Sequence, residues 1–284
     1  MLPKLLDAAP SWRTVTILGF LFLVGAVVSA QDVIVPRQTI HLFNGRDLTN
    51  FYTWLVDQKY DDPDKVFSVV EAVDGAPAIR ISGQRWGALI TKERYANYRL
   101  VVEFRWGLLT WGNRKAGVRD SGVLLHAQGR DGNSQLDFNG PWMQSIECQV
   151  GEGIVGDFIV VRGYDEAGRL VQPRLTVRVR RKLNGEWWYD LAGEPREVGR
   201  VNWIYHDPEW KDKLGYRGKN DFESPYGQWT RLEVVCDENN ITNIVNGRVA
   251  NAGMHSSLSS GKIMLQSEGA EVYYRRIDLE PLKK

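Results

Sequence analysis

The chain has 284 residues, and its 36 lysines and arginines stand against 35 aspartates and glutamates, a formal net charge of +1. The basic residues are scattered among the acids, so no basic tract points to nucleic acid or an anionic membrane surface as partner. Its two cysteines are too few for a disulfide framework, and no Cys/His spacing matches a zinc site.

Residues 1–30 differ from the rest. Lys4 and Arg13 precede the uncharged apolar run TVTILGFLFLVGAVV, and VSA stands before Gln31. A positive start, a short apolar core and a small-x-small ending describe a secretory signal peptide cleaved after Ala30. The apolar run falls short of the ~20 residues that span a bilayer comfortably; an uncleaved anchor is the competing assignment. No cysteine stands at the cleavage point, which argues against a lipoprotein. The expectation is a periplasmic or secreted protein, free of the membrane after cleavage. Residues 31–41 form an N-terminal extension, and one domain follows over 42–282.

Beyond residue 31 the pattern is that of strands. In chain order come KVFSVVEAV, AIRISG, GALITKE, YRLVVEFRW, SGVLLHAQG, SIECQVGE, DFIVVRGY, RLTVRVRRK, TRLEVVCDE, ITNIVNGRVA, GKIMLQSE and VYYRRIDLE. Turn signals such as VDGAP, RDGN, LNGE, DENN and SSG separate them. Many short strands and no internal repeat predict an all-β sandwich or barrel of antiparallel strands in one domain. The clearest hairpin is WTRLEVVCDENNITNIVNGRVA, whose Asn246-Gly247 pair suits a two-residue turn.

Within SGVLLHAQG, alternation sets Gly122, Leu124 and His126 against Val123 and Leu125. In SIECQVGE it sets Glu147 and Gln149 against Ile146, Cys148 and Val150, so a carboxylate and an amide share one face. Cys148 and Cys236 both fall on inward-facing rows. Export permits a bridge between them, while a buried free cysteine behaves as a small apolar residue; both assignments stay open. Residues 183–226 are long, irregular and rich in Trp and Tyr, which points to an ordered lid or rim. With 11 tryptophans in the chain, some rings are available to stack on sugars.

Four stretches in order resemble the 3-keto-disaccharide hydrolase domain family. HLFNGRDLTNFYTW resembles its opening strand and turn, RDSGVLLHAQG its Asn/Asp-Ser-Gly strand, and SIECQVGEGIVGDF its Glu-x-Gln strand. YGQWTRLEVVCDENNITNIVNGRVAN and GKIMLQSEGAEVYYRRIDLEPL resemble its closing strands. The resemblance implies a concanavalin A-like jelly roll of two antiparallel sheets, one bent so that its concave face forms a sugar cleft. It also implies an exported enzyme acting on glycosides oxidised at carbon 3.

The glucanases of glycoside hydrolase family 16 share that fold and carry Glu-x-Asp-x(-x)-Glu on a concave strand. Here the spacing reads Glu147-x-Gln149-x-x-Glu152, and the glycines flanking Glu152 suggest that it has left the strand. Retaining hydrolysis needs two carboxyls. A ketone at carbon 3 asks less, because it acidifies carbon 2 and lets the group on carbon 1 leave by elimination. One general base and an oxyanion partner then suffice.

Glu147 is the expected catalytic base or acid, with His126 as its partner. Gln149 is expected to bind sugar hydroxyls. Asp120 and Ser121, Asp157, and the closing-strand residues Gln266, Glu268 and Arg275 are further candidates for substrate binding. Lys219 and Glu223, in the aromatic segment, are candidates for closing over the substrate. No cofactor is expected. A divalent metal is an alternative, since Glu147, Asp157, His126 and Glu268 carry suitable donors, but their spacing does not demand one. The competing functions are a non-catalytic carbohydrate-binding jelly roll and a conventional β-glucanase.

Overall fold

The computed structural model describes residues 32–283, so the expected signal peptide lies outside the described residues. Two antiparallel sheets dominate. The first has seven strands, in the spatial order Arg200–Val201, Phe158–Val161, Gln144–Gly151, Asp120–Gln128, Lys262–Ser267, Gly87–Thr91 and Phe51–Leu55. The second is larger and is centred on the long strands Tyr98–Thr110 and Ala270–Pro281. The expected all-β jelly-roll architecture is the observed one.

Alternation explains the layering. Val123 and Leu125 of one strand, Ile146, Cys148 and Val150 of the next, and Leu265 turn inward from the first sheet. Leu100, Val102 and Phe104, Leu232, Val234 and Cys236, and Val272 and Tyr274 meet them from the second. These side chains are almost wholly buried, and their removal from water is the main stabilising term of the fold. Cys148 and Cys236 both lie in this layer as free thiols, so the bridge left open above is not formed.

The hairpin forms as expected. Strand Thr230–Asp237 pairs with Asn240–Val245, and the latter turns back into Arg248–Met254. Asn246 and Gly247 both adopt positive φ, +48° and +78°, as a two-residue turn of this hand requires. The 183–226 stretch is ordered and opens with three short strands, Trp187–Tyr189, Glu194–Glu197 and Arg200–Val201.

One local departure matters for function. Across the pairing with Gln144–Gly151, Gln128 faces Gln144 but Leu125 faces Ile146, and the same slip recurs against Lys262–Ser267. Strand Asp120–Gln128 therefore carries one extra residue. His126 sits in that bulge at φ +54°.

Candidate active site

The outer face of the seven-stranded sheet carries a cleft of about 910 Å³. Its floor comes from residues one strand apart. Glu147 and Gln149 rise from the 144–151 strand, Asp120 from the neighbouring strand, and Gln266 and Glu268 from the strand beyond and its end. Five of the residues expected from sequence are thus brought together.

Gly122 lies between them. A Cβ built there would stand 2.2 Å from Oε1 of Glu147 and 2.5 Å from Oε1 of Gln266, so both side chains cross bare backbone. The two amides brace the acids. Gln149 Nε2 donates to Asp120 Oδ1 at 2.7 Å, and the Gln266 side chain hydrogen-bonds to Glu147. Oε1 of each amide is left without a partner among the described residues.

Two arginines missed in the sequence complete the site. Arg114, from the short 3-10 turn Gly112–Lys115, bonds Asp120 and also reaches Glu268 Oε1 at 3.0 Å. Arg200 lines the cleft from the edge strand, anchored to Asp157 Oδ2 at 2.9 Å. Neither follows an alternating pattern that would mark it, and both are delivered by chain folding back from outside the central strands. Trp86 and Trp142 stand on the cleft wall with ring centroids 5.7 Å apart. Only the general abundance of tryptophan hinted at them.

Charge in the site is unbalanced. Of the three carboxyls, Asp120 and Glu268 share the Arg114 guanidinium, Glu147 has no directly bonded cation among the described residues, and Arg200 is paired with Asp157. Burial holds Glu147 well above the usual carboxylate range, and the charges of Glu268 and Asp120 push it further. Burial also raises Asp120 well above its ordinary value, with Glu268 adding to it and Arg114 opposing. Glu268 is raised by burial, against the pull of Arg114. Each carboxyl is thus held toward its protonated form, which suits an acid–base group.

Several expected residues are elsewhere. His126 is fully buried between the sheets, its Nδ1 3.0 Å from the Leu258 carbonyl and its ring against Tyr98 with centroids 5.6 Å apart. The bulge reverses the alternation at that point, so Ala127 takes the cleft side and His126 the core side. The expected catalytic pair of Glu147 and His126 is therefore not formed. Ser121 also faces inward, where Oγ bonds the Gln266 carbonyl at 2.9 Å and lies 3.0 Å from the Tyr274 hydroxyl. Arg275 is on the second sheet, bound to Glu103 at 2.6 Å and stacked on Trp229.

Asp157 is wholly buried and does not line the cleft. It accepts from Arg200 and from the Trp203 backbone N–H at 2.8 Å, which makes it a positioning residue for Arg200. Lys219 lies in a separate surface hollow, and Glu223 accepts from the Gly153 N–H at 2.6 Å. Neither reaches the cleft. Glu152 has left the strand, as its flanking glycines suggested, and its Oε1 pairs with Arg119 at 2.7 Å. The two-carboxyl arrangement of a conventional glucanase is consequently not assembled from 147 and 152. Nor do Glu147, Asp157, His126 and Glu268 fit a metal: His126 lies on the core side, and Asp157 is taken by Arg200 and Trp203.

A family model described as the 3-keto-alpha-glucoside-1,2-lyase-like domain matches residues 38–280. Among solved structures, one similar chain is a Parabacteroides distasonis ATCC 8503 protein provisionally described as a glycosyl hydrolase. It is 16% identical with a TM-score of 0.47, over 87% of this chain and 94% of that one. The β-glucanase of Bacillus licheniformis is 11% identical with a TM-score of 0.40, over 86% and 99%. The carbohydrate-binding module CBM66 of Bacillus subtilis is 8% identical with a TM-score of 0.39, over 75% and 91%. No curated protein matches significantly.

Proposed function

Because the chain belongs to the 3-keto-alpha-glucoside-1,2-lyase-like domain family, a family of glycoside-acting enzymes, we propose that it cleaves 3-keto-glycosides, 3-keto-disaccharides among them, with Glu147 as the proton-transfer group. The observation that carries this reading is the position of Glu147. It is buried on the floor of the cleft, and among the described residues no lysine or arginine pairs with it directly.

Ionised Glu147 takes the proton from carbon 2. Burial makes it a stronger base than a solvated carboxylate. The C2–H electron pair becomes an enolate whose oxygen is the former 3-ketone, and Arg114 or Arg200 stabilises the charge that develops there. The enolate then expels the oxygen on carbon 1, forming the C1=C2 double bond and restoring the ketone. Protonated Glu147 returns its proton to the departing oxygen. Water adds across the double bond, oxygen to carbon 1 and hydrogen to carbon 2, and the net result is hydrolysis. Gln149 and Gln266, whose acceptor oxygens lack protein partners, bind sugar hydroxyls, and the Trp86–Trp142 pair supplies an apolar wall.

We place this reaction outside the cytoplasm on the strength of residues 1–30; amino-terminal sequencing of the mature protein checks it. The function itself is tested by incubating the protein with a 3-keto-disaccharide and its unoxidised parent. Cleavage of the oxidised sugar alone, abolished in Glu147→Gln, supports the proposal. Binding of either sugar with no turnover identifies a carbohydrate-binding protein instead. Cleavage of the unoxidised sugar identifies a conventional glycosidase.

A further inference from the structure

Arg200 borders two cavities. One is the cleft above Glu147; the other is a hollow of about 330 Å³ walled by Glu186, Trp187, Asn202, His206 and Trp210. Among the described residues the Arg200 side chain has one hydrogen-bond partner, Asp157, so its other N–H groups are free to serve ligands on either side.

His206 distinguishes this hollow. Its residue is 5% exposed, and neither ring nitrogen has a hydrogen-bond partner among the described residues. Nδ1 is shielded from solvent, and the residue lines the hollow. The ring is held by Trp188, edge-on at 5.1 Å, and by Trp210 at 6.1 Å. An imidazole fixed by tryptophans with its hydrogen bonding unmet is a preorganised contact for a ligand. Burial lowers its affinity for protons, leaving it neutral and able to accept or donate.

The other neighbour of the cleft lacks this property. The hollow beside Trp54 and Tyr60 shares Val56 and Asp57 with the cleft, but it has no imidazole, and most of its polar groups already have partners. Asp131 there accepts from the Tyr52 and Tyr60 hydroxyls at 2.7 and 2.9 Å, and Lys59 bonds the Val56 carbonyl and Asn139.

We propose that the hollow behind Arg200 is the subsite for the leaving group, and that this leaving group is a neutral sugar ring. Tryptophan walls suit the apolar face of a sugar. The His206 ring suits a hydroxyl, and Glu186, which accepts from Asn202 Nδ2 and Trp188 Nε1 and has no cationic partner among the described residues, disfavours an acidic ring. The assignment rests on the reading of the cleft as the site of 3-keto-glycoside cleavage.

The test compares a 3-keto-disaccharide with the corresponding methyl 3-keto-glucoside, whose methanol leaving group is too small to enter the hollow. In His206→Leu the ratio of KM for the disaccharide to KM for the methyl glycoside should rise about tenfold, as expected for one hydrogen bond lost to a neutral ligand. An unchanged ratio overturns the subsite, whether both KM values rise together or neither moves.

A second measurement needs no variant. Glucose titrated into wild-type protein carrying 13C-labelled histidine should shift the His206 ring signals, and their insensitivity to glucose overturns the subsite. Should wild-type protein cleave neither 3-keto substrate, the proposed function fails, while the glucose titration still decides whether the hollow binds a sugar.

Discussion

Gly122 has no side chain where one would meet Glu147: a Cβ at that position would lie 2.2 Å from the carboxyl Oε1. Its φ is not in the left-handed region, so the need for glycine is one of space alone. Gly122→Ala should therefore fold, but with Glu147 and Gln266 displaced. A shift of about 1 Å at a reacting group lowers turnover roughly 10²-fold. Steady-state kinetics beside a thermal melt check this; a variant with wild-type kcat would show that the position of Glu147 is immaterial.

The same carboxyl sets the pH profile. Its folded pKa is raised by burial and by Glu268 and Asp120, and the base form is the active one. Activity should thus rise with pH, with an acidic limb above the ~4.3 of a free glutamate. Arg200→Met removes the cation whose charge lowers the Glu147 pKa and should move that limb to higher pH. The measurement is kcat/KM against pH for both proteins. A limb at the ordinary carboxylate value in wild type contradicts the assignment.

His126 should matter to stability and not to chemistry. Burial holds its pKa down at about 4, against ~6.5 for an unfolded histidine. Between those values the unfolded chain binds a proton that the folded chain does not. Its contribution is therefore present above pH ~6.5 and is lost as pH falls toward 4, about 3 kcal/mol in all. His126→Asn, which tolerates the positive φ, should flatten the acid side of the stability curve and leave kcat/KM close to wild type. Urea unfolding from pH 4 to 7, with activity at pH 7, tests both halves.

Glu223 works in the opposite direction. Burial raises it to about 8, against the opposing Gly153 N–H bond. From the unfolded value of ~4.3 up to 8, the folded state keeps a proton that the unfolded state loses. Stability accordingly falls with rising pH in that window, by up to about 1.4 kcal/mol per unit. Glu223→Gln should remove that slope. Melting temperatures across pH 5–8 decide it, and parallel curves for the two proteins would contradict it.

Much of the site was legible because strands have a period of two. Glu147 and Gln149 had to share a face, and Asp120 and Gln266 lie on the corresponding rows of their own strands. His126 and Ser121 show where that reasoning stops. Ser121 belongs to the same inward row as Val123 and Leu125, which alternation read strictly would have shown. His126 needed knowledge of the bulge, and no glycine or proline at 126 announces one. Arg275 matched a family stretch by position, yet its strand lies in the other sheet.

The sequence by itself determined the all-β class, the hairpins, the ordered aromatic stretch and the pairing of an acid with an amide on one strand face. Those features depend on near neighbours in the chain, where alternation and turn chemistry act. Only the tertiary structure decided which charges surround Glu147. Arg114 and Arg200 come from distant parts of the chain, and the three carboxyls meet only when separate strands align. Electrostatic coupling depends on distance in space and on exclusion of water, neither of which residue order records.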